Sequence, residues 1–94
     1  MIIVSQDKRI ITNFDNTIGL QINAHILNSD GERDFEIRAI TEKRDCVIAF
    51  YATEERAKEV LQEIIKGYRH YRTAECDGYT NVLEETAVFE MPKE

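Results

Sequence analysis

One amphipathic helix follows a series of short alternating strands in this sequence. Seven apolar residues between Thr53 and Tyr71 recur at the spacing of a helix. At about 100° per residue they fall within an arc of about 140°, a single stripe suited to lie on a sheet. Thr53 suits the N-cap, so we predict a helix from there to about Arg72, followed by a loop over residues 73–81. The stripe consists of Ala57, Val60, Leu61, Ile64, Ile65, Tyr68 and Tyr71.

Alternation of apolar and polar residues predicts the strands. It is strictest over residues 18–26, where we expect Ile18, Leu20, Ile22, Ala24 and Ile26 to point to one face and Gln21, Asn23 and His25 to the other. The turn formers of residues 28–31 predict a hairpin to the next strand, at 35–39. The remaining strands are predicted at residues 2–4, 9–14, 46–51 and 86–91.

Residues 46–51 are apolar at every position rather than at every second one. Such a strand needs cover on both faces, and one helix covers only one of them. Long side chains of neighbouring strands or a second copy of the protein would supply the other cover. This pattern leads us to expect a homo-oligomer.

Length and composition limit the architecture to one domain. The chain has 94 residues, 43% of them hydrophobic, with one Pro and four Gly. That is enough for a single core and leaves no sign of a linker. We therefore predict one α+β domain over residues 1–94, an antiparallel sheet of about five or six strands with one amphipathic helix packed on one face.

The charge is negative and unevenly distributed. The net charge is −6, and residues 74–94 hold six acidic residues against one lysine. This balance disfavours non-specific binding to nucleic acid or to an anionic membrane. No signal-peptide pattern and no membrane span are recognisable, so we expect a cytoplasmic protein without membrane association. In that setting Cys46 and Cys76 are expected to be free thiols.

The second half of the predicted helix is basic, and it is the candidate partner-binding site of the sequence. Basic and aromatic residues alternate there, as in surfaces that stack on bases and neutralise phosphate. On the helical wheel the tyrosines fall in the apolar stripe, whereas the basic residues face solvent. A solvated basic face is therefore the default interpretation, with a nucleic-acid-associated regulator as an alternative. The basic residues are Lys66, Arg69, His70 and Arg72.

No pattern in the sequence predicts catalysis, a cofactor or a metal. His25 lies on the outward face of its strand, and no carboxylate or nucleophile is spaced to lie beside it. A small hydrolase built around His25 would need a pocket there. Cys46, Cys76, His25 and His70 lack the close pairs of a zinc site, and the glycines do not form a phosphate loop. We expect a protein that is not an enzyme and has no small-molecule ligand.

Three segments are similar to those of a known group of proteins: IIVSQD at residues 2–7, YATEERAKEVL at 51–61 and VFEMP at 88–92. In these segments the chain resembles small uncharacterised proteins encoded by Gram-positive bacteria and their phages. The resemblance implies a compact fold of sheet and helix and a phage or prophage origin. It brings no catalytic or binding residue.

Together these patterns predict a non-enzymatic protein-interaction or accessory module of phage or prophage type. The expected partner is another protein or a second copy of the chain. The two alternatives are the nucleic-acid regulator and, less in keeping with the sequence, the small hydrolase.

Overall fold

The computed structural model describes residues 1–77 and 87–94. As predicted, five strands are followed by a helix and then by a last strand. In chain order the elements are β1 (Ile2–Val4), β2 (Ile11–Asn13), a 3₁₀ turn (Phe14–Asn16), β3 (Thr17–Ile26), β4 (Arg33–Thr41), β5 (Asp45–Tyr51), α1 (Glu54–Asp77) and β6 (Val88–Glu90).

The strands form two sheets rather than the single sheet predicted. The first sheet has the order β2-β1-β6 and the second the order β3-β4-β5. All neighbours are antiparallel except β1 and β6, which are parallel. The 3₁₀ turn explains the division, because it interrupts the extended chain between β2 and β3. The α+β class is confirmed, and the prediction of one continuous antiparallel sheet is wrong.

Gln6 joins the two sheets. Its backbone N–H donates to the carbonyl of Ile48 at 2.8 Å, and its side-chain Oε1 accepts from the N–H of Phe50 at 2.8 Å. Its Nε2 lies 3.0, 3.2 and 2.7 Å from the carbonyl oxygens of Phe50, Pro92 and Lys93. Those are more acceptors than two amide protons can serve at once. One residue thus extends β1 onto β5 and holds the C-terminal segment.

The neighbours of Gln6 shape the turn between β1 and β2. The buried Ser5 hydroxyl donates to Asp7 Oδ1 at 2.6 Å and accepts from the N–H of Ile10 at 3.0 Å. The N–H of Arg9 also donates to Asp7 Oδ1. These bonds, the one from Ser5 foremost, hold the pKa of the Asp7 carboxyl below its usual value. Each residue of the Ser5-Gln6-Asp7 motif therefore has a structural role.

Helix α1 begins as predicted. Thr53 Oγ1 accepts from the N–H of Arg56 at 3.1 Å, the bond of an N-cap. The helix ends later than predicted, at Asp77, so residues 73–77 are helical and not loop. Ala74 is buried, and this continues the apolar stripe by one further turn. The rest of the predicted loop, residues 78–81, lies outside the described residues.

The stripe of α1 packs on a core to which both sheets contribute. Ala57, Val60 and Ile64 are fully buried, and Leu61, Tyr68 and Tyr71 are half-buried against the same cluster. Ile65 was predicted in the stripe but is exposed, because it lies at the edge of the arc. Besides the helix, the core contains Met1, Ile3 and Met91 around the first sheet and Ile37, Ala39, Ile48, Ala49 and Tyr51 of the second.

Gly67 lies in the middle of α1 without ending it. A Cβ at this position would lie 3.3 Å from Cδ2 of Phe89, tighter than ordinary contact. The ring of Phe89, on β6, therefore packs directly against the helix backbone. The glycine allows the close approach of helix and first sheet and costs roughly 1 kcal/mol of helix propensity.

The C-terminal segment is tied to the fold, as expected for a strand that lies beside an earlier one. The N–H of Met91 donates to the carbonyl of Val4 at 3.0 Å. The hydroxyl of Tyr51 donates to the carbonyl of Pro92 at 2.7 Å, and Arg56 Nε donates to that of Glu94 at 2.9 Å. Burial raises the pKa of Tyr51 to about 12, which keeps its hydroxyl a donor over the physiological range.

Strand β3 departs from the predicted alternation at both ends. Leu20 and Ile22 pack against the core as expected, whereas Ile18 and Ile26 are 69% and 72% exposed. A bulge between Thr17 and Gly19 displaces Ile18. Ile26 lies at the hairpin end of the strand, where Ala24, predicted on the same face, is exposed as well.

The role of Gln6 gives a first prediction. Gln6→Ala should lower the free energy of unfolding by about 2 kcal/mol, since several hydrogen bonds of about 0.5–1.5 kcal/mol each are lost together. Gln6→Glu should destabilise at least as much, because a carboxylate would face carbonyl oxygens. Urea unfolding measures both changes. Gln62→Ala, which changes an exposed glutamine of α1, is the matched control and should change stability by less than about 0.5 kcal/mol. An equal effect of the two alanine variants would contradict the role of Gln6 as the link between the two sheets.

Candidate interaction surface

The second sheet has an outer face, on the side away from α1, formed by side chains of β3, β4 and β5. Across the strands, Asn23 pairs with Glu36 and Glu36 with Phe50. One step along, Gln21 pairs with Arg38. Because Gln21 and Phe50 are exposed, this face and its edge are the natural place for a partner. We call it the outer face.

His25 lies at the hairpin end of the outer face, beside a carboxylate. Its Nδ1 lies 2.9 Å from Oδ1 of Asp34, which is its direct partner in the ladder. The prediction from sequence that no carboxylate lies beside His25 is therefore wrong. The contact could have been predicted from the turn at residues 28–31, because that turn fixes the register that places position 34 opposite position 25.

The His25–Asp34 pair lies on an exposed part of the sheet. His25 is exposed on its strand, and it does not line three clefts that the described residues form. The largest of these, about 540 Å³, lies at the other end of the sheet, between the start of β3 and the turn after β4. The hydrolase alternative therefore stays a prediction from sequence.

An ion pair occupies the middle of the outer face. Arg38 Nη2 lies 3.1 Å from Oε2 of Glu36, and Glu36 is only 8% exposed. Nε of Arg38 is buried and has no hydrogen-bond partner within the described part of the chain. The pair fixes two side chains of the central strand in one geometry.

A bulge in β5 buries part of its unbroken apolar run. Ala49 pairs with Ile37 but Val47 with Arg38, so Ile48 is the extra residue of a bulge. Ile48 and Ala49 are both buried as a result. Phe50 remains on the outer face, with its ring centroid 5.2 Å from that of His25. The bulge thus buries two residues of the run within one chain, whereas Phe50 stays 41% exposed, so the homo-oligomer expected from this run stays a prediction.

The free edge of β3 is the most unusual part of this surface. In the described residues, 1–77 and 87–94, β3 pairs with β4 alone. Its ten residues, TIGLQINAHI, include no Asp, Glu, Lys, Arg or Pro. Natural edge strands usually carry such residues or are short, which discourages pairing with another chain. Ile18, Ile26 and the following Leu27 are exposed along this edge.

The other sheet edges are protected. Strands β2 and β6, at the edges of the first sheet, have three residues each. The outer edge of β5 is occupied by Gln6, which bonds to Ile48 and Phe50. The contrast singles out β3 as the one long edge open for pairing among the described strands.

The basic residues of the candidate partner site lie on one helix, in its second half. Lys66, Arg69, His70 and Arg72 are all exposed on α1. Gly67, between them, faces inward against Phe89, so the basic residues flank a buried contact. The structure brings these basic residues to one region of the helix surface.

Cys46 is half-buried and Cys76 exposed, and both are free thiols. Within the described ranges no group of three His, Cys, Asp or Glu side chains is placed to hold a metal ion. In the same part of the chain, no helix is long and apolar enough to pass through a bilayer.

Comparison with known proteins adds no relative: no protein-family model matches the chain, and no significant similarity is found to a curated protein or a solved structure.

The buried ion pair yields the second prediction. Glu36→Ala should destabilise the protein by about 1–3 kcal/mol, because it leaves the guanidinium of Arg38 partly buried without its carboxylate. Adding Arg38→Leu should restore most of the loss, since an apolar side chain replaces the unpaired charge. Thermal or urea unfolding of both single variants and the double variant measures this. A double variant less stable than Glu36→Ala would contradict the interpretation.

Proposed function

We propose that the protein is a non-enzymatic interaction module that binds another polypeptide along the free edge of β3. The observation that carries the proposal is a ten-residue edge strand without charge or proline, in a fold whose other described edges are short or occupied. An extended partner strand would complete the ladder by β-strand addition.

The phase of the backbone supports this mode of binding. The N–H of Leu27 donates to the carbonyl of Glu32 at 2.8 Å, which closes the hairpin of β3 and β4. In an antiparallel ladder every second residue bonds to the neighbouring strand. Counting back from Leu27, the N–H and C=O groups of Ala24, Ile22 and Leu20 point away from β4. They are the donors and acceptors that a partner strand would use.

Side chains around the edge supply specificity. Ile18 and Ile26 present apolar surface near the two ends of the strand, and His25 and Phe50 present a contiguous pair of rings on the outer face. Backbone bonds give affinity in strand addition, whereas such side chains decide which partner fits. The phage or prophage origin that the sequence resemblance implies agrees with an accessory module of this kind.

The basic half of α1 does not enter this proposal. Lys66, Arg69 and His70 are exposed, but the chain has a net charge of −6, and no second observation points to a nucleic acid. Phosphate binding depends on a positive surface. The nucleic-acid alternative therefore stays a prediction from sequence.

Site-specific photo-crosslinking tests the proposed function, as a third prediction. A benzophenone side chain at position 26, on the β3 edge, should give an adduct of defined mass in cells that carry the natural gene. The same group at position 11, an isoleucine of the first sheet that is also 67% exposed, should not. Mass spectrometry of the adduct identifies the bound chain.

A backbone variant makes the test specific for strand addition. Ala24→Pro removes an N–H that points to the free edge and makes no bond to β4, so it should abolish the adduct while the fold persists. Ala24→Ser keeps that N–H and should retain the adduct. No adduct at position 26, or one that survives Ala24→Pro, would contradict the proposed function.

A further inference from the structure

We infer that the polypeptide bound by β3 is a second copy of this chain, paired antiparallel with it, edge to edge, about a two-fold axis at Ile22. The inference rests on the proposed function, since it names the partner of the same edge. The two second sheets would then join as one continuous sheet of six strands, twice the three of a single chain.

The backbone permits an axis at this residue. The N–H and C=O of Ile22 point toward the free edge, as derived above from the hairpin bond at Leu27. Two copies related by a two-fold axis at such a residue exchange both bonds reciprocally, as in a hydrogen-bonded antiparallel pair. The outward groups of Leu20 and Ala24 then meet those of Ala24 and Leu20 in the second copy.

The exposed isoleucines select this register. Ile18 and Ile26 lie four residues to either side of Ile22. An axis there brings Ile18 opposite Ile26 of the second copy, and the same pair occurs again by symmetry. The two most exposed large apolar side chains of the described chain, at 69% and 72%, would thereby cover each other. Cross-strand apolar pairs of this kind stabilise an antiparallel ladder.

Neighbouring registers do not achieve this match. An axis at Gln21 would place Ile26 opposite Asn16 of the second copy. An axis at Asn23 would place Ile18 opposite Asn28. In either case one exposed isoleucine faces a polar asparagine, and its apolar surface stays in contact with water.

The glycine at position 19 supports the same register independently of the isoleucines. A Cβ at this position would meet nothing within 4 Å, and its φ does not lie in the left-handed region. Nothing within the described chain therefore requires glycine there, although glycine weakens a strand. In the proposed register Gly19 lies opposite His25 of the second copy, and the missing side chain leaves room for the imidazole and its partner Asp34. Glycine in a strand commonly marks such a close approach.

The charges of the edge do not oppose the pairing. No Asp, Glu, Lys or Arg occurs within β3, so no like charges face each other across the axis. Gln21 lies opposite Asn23 of the second copy, and their amides can hydrogen-bond across the ladder. A strand without charged residues does not repel a second copy of itself and is suited to self-association. Charged residues on an edge strand normally prevent such pairing.

Sedimentation velocity over a range from low micromolar to near millimolar tests the inference, as a fourth prediction. The wild-type chain should show a reversible monomer–dimer equilibrium. Ile18→Lys combined with Ile26→Lys places like charges opposite each other twice and should weaken the dimer by about 30-fold, roughly 2 kcal/mol. Ile18→Lys combined with Ile26→Glu places opposite charges there and should restore association to within about threefold of wild type.

Matched substitutions on the first sheet are the control. Ile11→Lys combined with Val88→Lys changes two side chains that are 67% and 47% exposed on β2 and β6, and the dimer should persist. Circular dichroism and urea unfolding establish that every variant is folded. A strictly monomeric wild-type chain would overturn the inference. So would equal dissociation of the Lys/Lys and Lys/Glu variants, which would exclude this register, or dissociation of the first-sheet control.

The two proposals fail separately. A crosslinked adduct at position 26 with a different protein, together with a monomeric purified chain, would leave the proposed function standing and overturn the second copy as the partner. A dimer that depends on positions 18 and 26 as predicted, with an adduct of twice the chain's mass, supports both.

Discussion

The burial of one face of α1 against a core shared by both sheets holds this fold together. Val60 and Ile64 are fully buried, and each such side chain contributes about 1.5–3 kcal/mol when it is removed from water. Packing against a helix is one of the ways in which so small a sheet becomes stable in water. Ile3 of the first sheet and Ile37 of the second lie in the same cluster as the helix. The chain is therefore one packed unit although its strands form two ladders.

Local patterns predicted the elements well because their causes are local. The N-cap at Thr53, the apolar stripe and the hairpin at residues 28–31 follow from side chains near each other in sequence. The division into two sheets did not, because it depends on a 3₁₀ turn at residues 14–16 and on the long-range hydrogen bonds of Gln6. A glutamine that follows a strand looks like any other polar turn residue until its partners are known.

Bulges account for the remaining differences in the sheet, and they also changed the functional interpretation. The bulge at Ile48 buries two consecutive residues of the apolar run of β5 within one chain, while Phe50 stays exposed. The bulge near Gly19 exposes Ile18 instead of burying it. Self-association was predicted from the apolar run of β5, whereas the features on which we base the proposed pairing lie on β3. Of the candidate surface, the sequence predicted the outward position of His25 but not its contact with Asp34.

Native-state hydrogen exchange tests the shared core most directly. The account predicts that the amides of Ile3, Ile37 and Ile64, one from each sheet and one from the helix, exchange with a single free energy of opening that equals the free energy of global unfolding. Exchange of Ile3 through a separate opening of much lower free energy, with Ile37 and Ile64 still protected, would contradict the claim that the two sheets and the helix form one cooperative unit.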